Sequence, residues 1–286
     1  MPRQGLTFGV KASQQRSTID NLRQIWQIAD EGGFDSCWLF DHFAPMGASR
    51  TGDIFEAWTL LAAMAQATQH VRIGTLVTGN IYRHPGILAK MAVTVDHLSA
   101  GRLIMGIGAG GDDYADTMLG LPAYPARERI ERLDEACQIL KLLWAEETVT
   151  FTGRHYHLEQ AHSDPKPVQR PRPPIWIGSS GERYGLRAVA EHADVWMNAS
   201  MRPEDLGELT RLSQVLDRHC ESIGRDPATI RRAVQFPLPA GPDEMMRAAE
   251  RYVRAGFDDI LFMPFQGGLP RLEAAAALLP KLRTLG

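Results

Sequence analysis

The apolar run Cys37, Trp38, Leu39 and Phe40 ends abruptly in Asp41 and His42. An imidazole placed at the end of such a run can deliver or accept a proton near neutral pH, and the adjacent carboxylate could hold its tautomer. A second feature is Gly178, Ser179, Ser180, Gly181 and Glu182, which follows Ile175, Trp176 and Ile177 and precedes a helical pattern. Unpaired N–H groups at a helix start, with two hydroxyls, make a phosphate cradle; the plainer alternative is that Ser180 caps the helix. Glu182 argues against an anion there and Arg183 partly offsets it. Gly106, Gly108 and Gly111 satisfy the dinucleotide pattern GxGxxG. That fingerprint belongs on the first strand-to-helix turn of an open sheet, whereas here it follows the fourth strand. Asp112, Asp113 and Asp116 come next and would repel a pyrophosphate, so we read a loop stripped of side chains that lets a flat ring approach its backbone.

Other chemistries find less support. His155 and His157 form an HxH pair with no third ligand in register, so no metal site is expected. His84 and His97 flank a helix and read as cap or surface residues. Cys37, Cys137 and Cys220 are odd in number and far apart, which suits reduced thiols in the cytoplasm. There is no GxSxG elbow for a nucleophilic serine. With 31 basic and 34 acidic residues and no long run of either sign, neither nucleic acid nor a membrane is expected as a partner. A small-molecule substrate is.

The elements that must position these residues are short apolar runs alternating with helical patterns. Strands are predicted at 6–10, 34–40, 71–77, 103–107, 175–178, 194–198, 230–236 and 259–263. Eight such units imply a closed (β/α)8 TIM barrel, read as one domain over residues 1–286. Chemistry in a parallel barrel lies at the carboxyl ends of strands, where Asp41 and His42 fall. Ile87, Leu88, Met91, Ala92, Val95 and Leu98 share one helical face, as do Ile130, Leu133, Cys137, Leu140 and Trp144; Pro85 and Pro125 open these helices. The phrase Gly33, Phe34, Asp35 recurs as Gly256, Phe257, Asp258, each time closing a helix before a strand. Residues 146–174 are polar, aromatic and proline-rich, an insertion before the fifth strand with a hairpin around 151–158.

Several pieces preserve the order and spacing of a known family: GFDSCWLFDHF, VRIGTLVTGNIYRHPGILAKMAVTVDHLSAGRL, ERLDEACQILKLLW, PKPVQRPRPPIWIG and AEHADVW. The chain resembles the luciferase-like oxidoreductases, and within them the branch that uses the deazaflavin coenzyme F420. The resemblance implies a cofactor across the carboxyl-terminal face, with Asp41 and His42 beside its ring and His42 as proton donor or acceptor. It implies a cis peptide between Leu76 and Val77, ring contacts from Thr78 and Asn80, and a phosphate on Gly178, Ser179, Ser180, Gly181 and Glu182. Ala109 and Gly110 fall on the cofactor loop. Relatives that use FMN often carry an arginine near Ala109, and this chain has none there, which favours the deazaflavin. Gly111 is bare where deazaflavin relatives carry an aromatic or acidic side chain, and Met46 stands where sugar-phosphate members have tryptophan, which argues against glucose 6-phosphate.

The reading is therefore a hydride-transferring oxidoreductase dependent on coenzyme F420, with an FMN-dependent monooxygenase as first competitor. A cofactor-binding barrel without turnover and a metal-dependent hydrolase built on His155 and His157 are competitors from other classes. Apolar helices at 54–67 and 87–98 suggest a homodimer face by analogy with the family.

Overall fold

The computed structural model describes residues 5–264 and 268–286. The chain runs β1 (Thr7–Lys11), α1 (Ile19–Glu31), β2 (Ser36–Leu39), α2 (Ala57–Ala67), β3 (Arg72–Thr75), β4 (Thr78–Gly79), α3 (Pro85–Leu98), β5 (Leu103–Gly108), α4 (Asp113–Leu119) and α5 (Ala126–Ala145). It continues β6 (Val149–Thr152), β7 (His157–Ala161), β8 (Ile175–Gly178), α6 (Gly185–His192), β9 (Val195–Ala199), α7 (Asp205–Ser222), β10 (Arg231–Pro237), α8 (Pro242–Arg254), β11 (Asp259–Met263) and α9 (Gly268–Leu282).

All eight expected strands form. They pair in parallel in the order β3, β2, β1, β11, β10, β9, β8, β5, and a further β3–β5 pairing closes the barrel. The third strand is interrupted: a cis peptide joins Leu76 and Val77, as expected, and pairing with β5 resumes through β4. Alternation along each strand divides the apolar residues into two sets. Trp38, Leu76, Ile104, Trp176, Met197 and Leu261 fill the barrel interior, and a larger cluster packs the sheet against its helices.

The helices follow their sequence signals with one adjustment. Leu133, Cys137, Leu140 and Trp144 of α5 are buried as their spacing demands. On α3, Leu88, Ala92 and Val95 are buried, but Ile87 and Leu98 lie on the exposed flank of the stripe. Gly33 and Gly256 adopt φ of 79° and 89° just beyond α1 and α8, a backbone that glycine adopts without penalty. The 146–174 insertion carries the expected hairpin as antiparallel β6 and β7. Helix α4 was not expected. Asp112 caps it by accepting from the Ala115 N–H, and Gly120 ends it in the left-handed conformation, so the acidic stretch after the glycines is helix-forming chemistry.

Candidate functional site

The strand ends converge on an open cleft of about 380 Å³. Lys11 ends β1, Asp41 and His42 follow β2, and Leu76, Val77 and Gly79 come from the bulge between β3 and β4. Gly110 and Gly111 follow β5, Gly178 to Ser180 follow β8, Met197 to Ala199 end β9, and Gln235 belongs to β10. Leu76, Val77 and Met197 bring the apolar barrel interior to this cleft beside its polar groups.

His42 and Asp41 separate in role. The Asp41 carboxylate accepts from both Arg83 Nη atoms at 2.6 and 3.0 Å and from the Gly79 N–H at 3.1 Å, and Arg83 also reaches Glu56 at 2.6 Å. Burial pushes the Asp41 carboxyl up and the Arg83 guanidinium opposes this. Asp41 is thus a brace fixing the β4 segment, a correction to the expectation that it holds the His42 tautomer. The carboxylate that meets the imidazole is Asp112, whose Oδ2 lies 3.4 Å from His42 Nδ1 and is also bound by Arg50. A carboxylate on that side favours the tautomer with the proton on Nδ1, which leaves Nε2 as the free base. Burial lowers the His42 pKa, and the hydrogen bond to Asp112 works against it.

The glycines prove to have different reasons. A Cβ on Gly106 would come within 1.8 Å of the Thr75 carbonyl, and one on Gly108 within 2.7 Å of Val77, so these two let β5 pack against the β3–β4 bulge. They do not open a ring site, contrary to the expectation for them. Gly110 and Gly111 do line the cleft, while Ala109 packs into the outer core. The side-chain space at Gly111 is filled by the Arg129 guanidinium, which donates to the Gly110 carbonyl at 2.6 Å. An arginine therefore stands beside the Ala109 loop after all, delivered from α5 rather than from the neighbouring sequence.

Thr78 and Asn80 depart from the expected ring contacts. Thr78 is fully buried, bonded to Thr75 and to the Trp58 indole N–H at 3.2 Å. Asn80 is fully buried, its amide N–H 3.4 Å from the Tyr156 hydroxyl. Neither is among the cleft-lining residues. The turn after β8 divides as well: Gly178, Ser179 and Ser180 line the cleft, but Glu182 turns outward to Arg211 at 2.8 Å. Helix α6 begins only at Gly185, and Ser180 does not cap it. The Ser180 and Gly181 N–H groups have no acceptor among the described residues, and a Cβ on Gly181 would meet nothing closer than 3.8 Å. This open turn, with free donors and a bare backbone, fits a phosphate group.

The two insertion histidines do not come together as ligands. His155 Nε2 lies 3.1 Å from Glu131, a carboxylate that sequence spacing did not bring into view, while His157 sits exposed on β7. Among the described residues the sole grouping with metal-ligand chemistry is Asp134, Glu191 and His192, away from the cleft, and Lys141 Nζ stands 3.2 Å from that imidazole. His84 caps α3 by accepting from Gly86, and His97 meets the Lys166 carbonyl at 2.9 Å, both as expected. The three cysteines are free and buried, and burial pushes the Cys37 and Cys137 thiols up to about 12, which leaves them unreactive.

Sequence reasoning missed Lys11 and Gln235. Both face the cleft, each is only 7% exposed, and burial lowers the Lys11 pKa to about 8. A signal existed for Lys11, since a lysine ending the strand Thr7, Phe8, Gly9, Val10 is a charge at a carboxyl end. Gln235 sits inside an apolar strand and gave none.

The profile of the luciferase-like monooxygenase family matches residues 6–281, and the chain belongs to that family. It is 34% identical to an F420-dependent glucose-6-phosphate dehydrogenase of Kineococcus radiotolerans over 84% of this chain and 70% of that one. It is 29% identical to an F420-dependent hydroxymycolic acid dehydrogenase of Mycobacterium tuberculosis, over 85% of this chain and 65% of that one. Among solved structures, an F420-dependent secondary alcohol dehydrogenase in complex with an F420-acetone adduct superposes with a TM-score of 0.87. It is 20% identical and covers 98% of this chain and 99% of its own.

Proposed function

We propose that this protein is an F420-dependent oxidoreductase that moves a hydride between the deazaflavin and a small organic substrate, with His42 taking or giving the accompanying proton. The observation that carries this reading is a half-buried imidazole at the cleft that meets Asp112, itself paired with Arg50, within a chain whose curated relatives are named F420-dependent dehydrogenases. Carbon in place of a flavin's N5 supplies two-electron hydride chemistry rather than oxygen activation.

The chain's own part is positioning and proton transfer. Ser179 and Ser180, with the N–H groups of Ser180, Gly181 and Glu182, hold the phosphate. Leu76 and Val77 back the ring, and Gly110 admits it. Asp112 keeps Nε2 of His42 unprotonated until a substrate hydroxyl gives up its proton. Met46 and Met197 offer an adaptable apolar wall, and Met46 argues against glucose 6-phosphate as the substrate. The exposed Ile87 and Leu98 of α3 are the apolar surface that a homodimer would cover.

The second reading, an FMN-dependent monooxygenase, is favoured by one observation: the Arg129 guanidinium beside Gly110 is a cation a flavin phosphate could use. Mixing the protein with oxidised deazaflavin and a panel of secondary alcohols, or with reduced deazaflavin and the matching ketones, decides between them. The proposal expects substrate-dependent change in deazaflavin absorbance without oxygen consumption. Oxygen consumption with FMN and no turnover of deazaflavin would overturn it.

A further inference from the structure

Two buried polar side chains at the cleft lack a protein partner among the described residues. Lys11 Nζ makes no hydrogen bond or ion pair among the described residues, and its one polar compensation is the Phe40 ring, 5.1 Å from the ammonium. The Gln235 side chain is equally buried, and its amide Oε1 accepts from no donor among the described residues. The neighbouring cations differ: Arg50 is held by Asp112, and Arg83 by Asp41 and Glu56.

Barrel geometry aims both side chains at one place. β1 and β10 flank β11, and Gln235 and Gly9 both stand level with Leu261, whose side chain lies in the barrel interior. Side chains alternate along a strand, so Lys11, two positions beyond Gly9, points inward as Gln235 does, one step nearer the mouth. Gly9 places no side chain between them. A buried ammonium and a buried amide left open toward a cleft are costly to keep unless a ligand completes them.

We propose that Lys11 anchors a subsite for a negatively charged oxygen of the substrate, so that the substrate is a small organic acid whose carboxylate lies against the ammonium, beside the Gln235 amide. The inference rests on the cleft being the substrate site proposed above. Its test is a binding measurement that needs no hydride transfer.

The probes are acetate, pyruvate and acetone, which share a methyl signal readable by saturation-transfer NMR and differ in charge. Acetate and pyruvate should bind the wild-type protein, alone and loaded with deazaflavin, and acetone should bind more weakly. Lys11→Met should weaken acetate and pyruvate about tenfold or more and leave acetone unchanged, as expected for loss of a charge-assisted contact. Methionine removes a buried charge and should fold, which circular dichroism checks. Lys11→Arg should restore much of the acid binding, Gln235→Leu should weaken it less than Lys11→Met, and the surface change Lys90→Met should do nothing. Equal loss of acetone, unchanged acid binding in Lys11→Met, or no binding of either acid at tens of millimolar would overturn the subsite. Lost deazaflavin affinity in Lys11→Met with acid binding intact would overturn it too, placing the ammonium against the cofactor. If deazaflavin fails to bind yet acid binding still depends on Lys11, the redox reading falls and the subsite stands.

Discussion

The two ends of the barrel differ in the polar groups they leave open. At the amino end Arg102, Asp30 and Asp259 are all paired. Arg102, just before β5, donates to the Ser99, Thr68, Val71 and Ala65 carbonyls and the Thr68 hydroxyl, all within 2.8 Å. Asp30 accepts from three successive N–H groups, those of Gln69, His70 and Val71, and Asp259 pairs with Arg231 at 2.8 Å. At the carboxyl end, Lys11 and Gln235 are buried without a protein partner among the described residues, and the exposed Ser180 turn offers free N–H groups to the cleft. Folding alone explains the first end, since an unmet buried polar group is destabilising. A ligand in the cleft would complete the second.

The sharpest way to break this comparison is to remove one key group from each end. His42→Ala should lower turnover by about 10²- to 10⁴-fold while deazaflavin affinity stays within a few fold, because a positioned proton carrier acts on the chemical step. Steady-state kinetics with equilibrium binding checks it; full activity in a folded variant would move the proton to another group. Arg102→Met should do the reverse, costing about 2–4 kcal/mol in urea denaturation with normal turnover in the folded fraction, because several buried carbonyls lose their donor together. Loss of turnover without loss of stability would erase the distinction between the ends.

Two smaller effects sharpen it. Replacing Ser179 and Ser180 together by alanine should weaken deazaflavin binding by about 1–3 kcal/mol if the turn carries the phosphate. Unchanged affinity in a fluorescence titration counts against that placement. Asp112→Asn keeps the α4 cap but removes the carboxylate that raises the His42 pKa, and it leaves the Arg50 cation unpaired nearby. Both changes disfavour the imidazolium, so the His42 pKa should fall. The limb on which activity is lost as pH drops should therefore move to lower pH in the pH profile of kcat/KM. A shift to higher pH would show that Asp112 does not act on His42.

The comparison also explains what the sequence disclosed. Strand and helix periods are local, so all eight strands, the insertion hairpin and the capping role of His84 could be read directly. The position of His42 at a strand's end was equally local. Its partner was not: Asp112 lies 70 residues away, nearer in sequence to the glycines than to the histidine it touches. Asp41 attracted the role by adjacency, and Arg83, 42 residues on, takes its carboxylate instead. Gly106 and Gly108 suggested a ligand because the sequence could not reveal the Thr75 carbonyl and Val77 side chain behind them. Arg129 likewise reaches the Ala109 loop only because α5 returns there. The cis bond at Leu76 came through family resemblance, not from any local pattern.

The account's central claim is that this cleft holds a deazaflavin and uses it for hydride transfer. Parallel equilibrium titrations of the purified protein with coenzyme F420 and with FMN, followed by absorbance and intrinsic fluorescence, test it most directly. The account predicts saturable, stoichiometric binding of the deazaflavin and FMN binding at least about a hundredfold weaker, a difference of roughly 2.7 kcal/mol. Tighter binding of FMN, or saturable binding of neither, would contradict it.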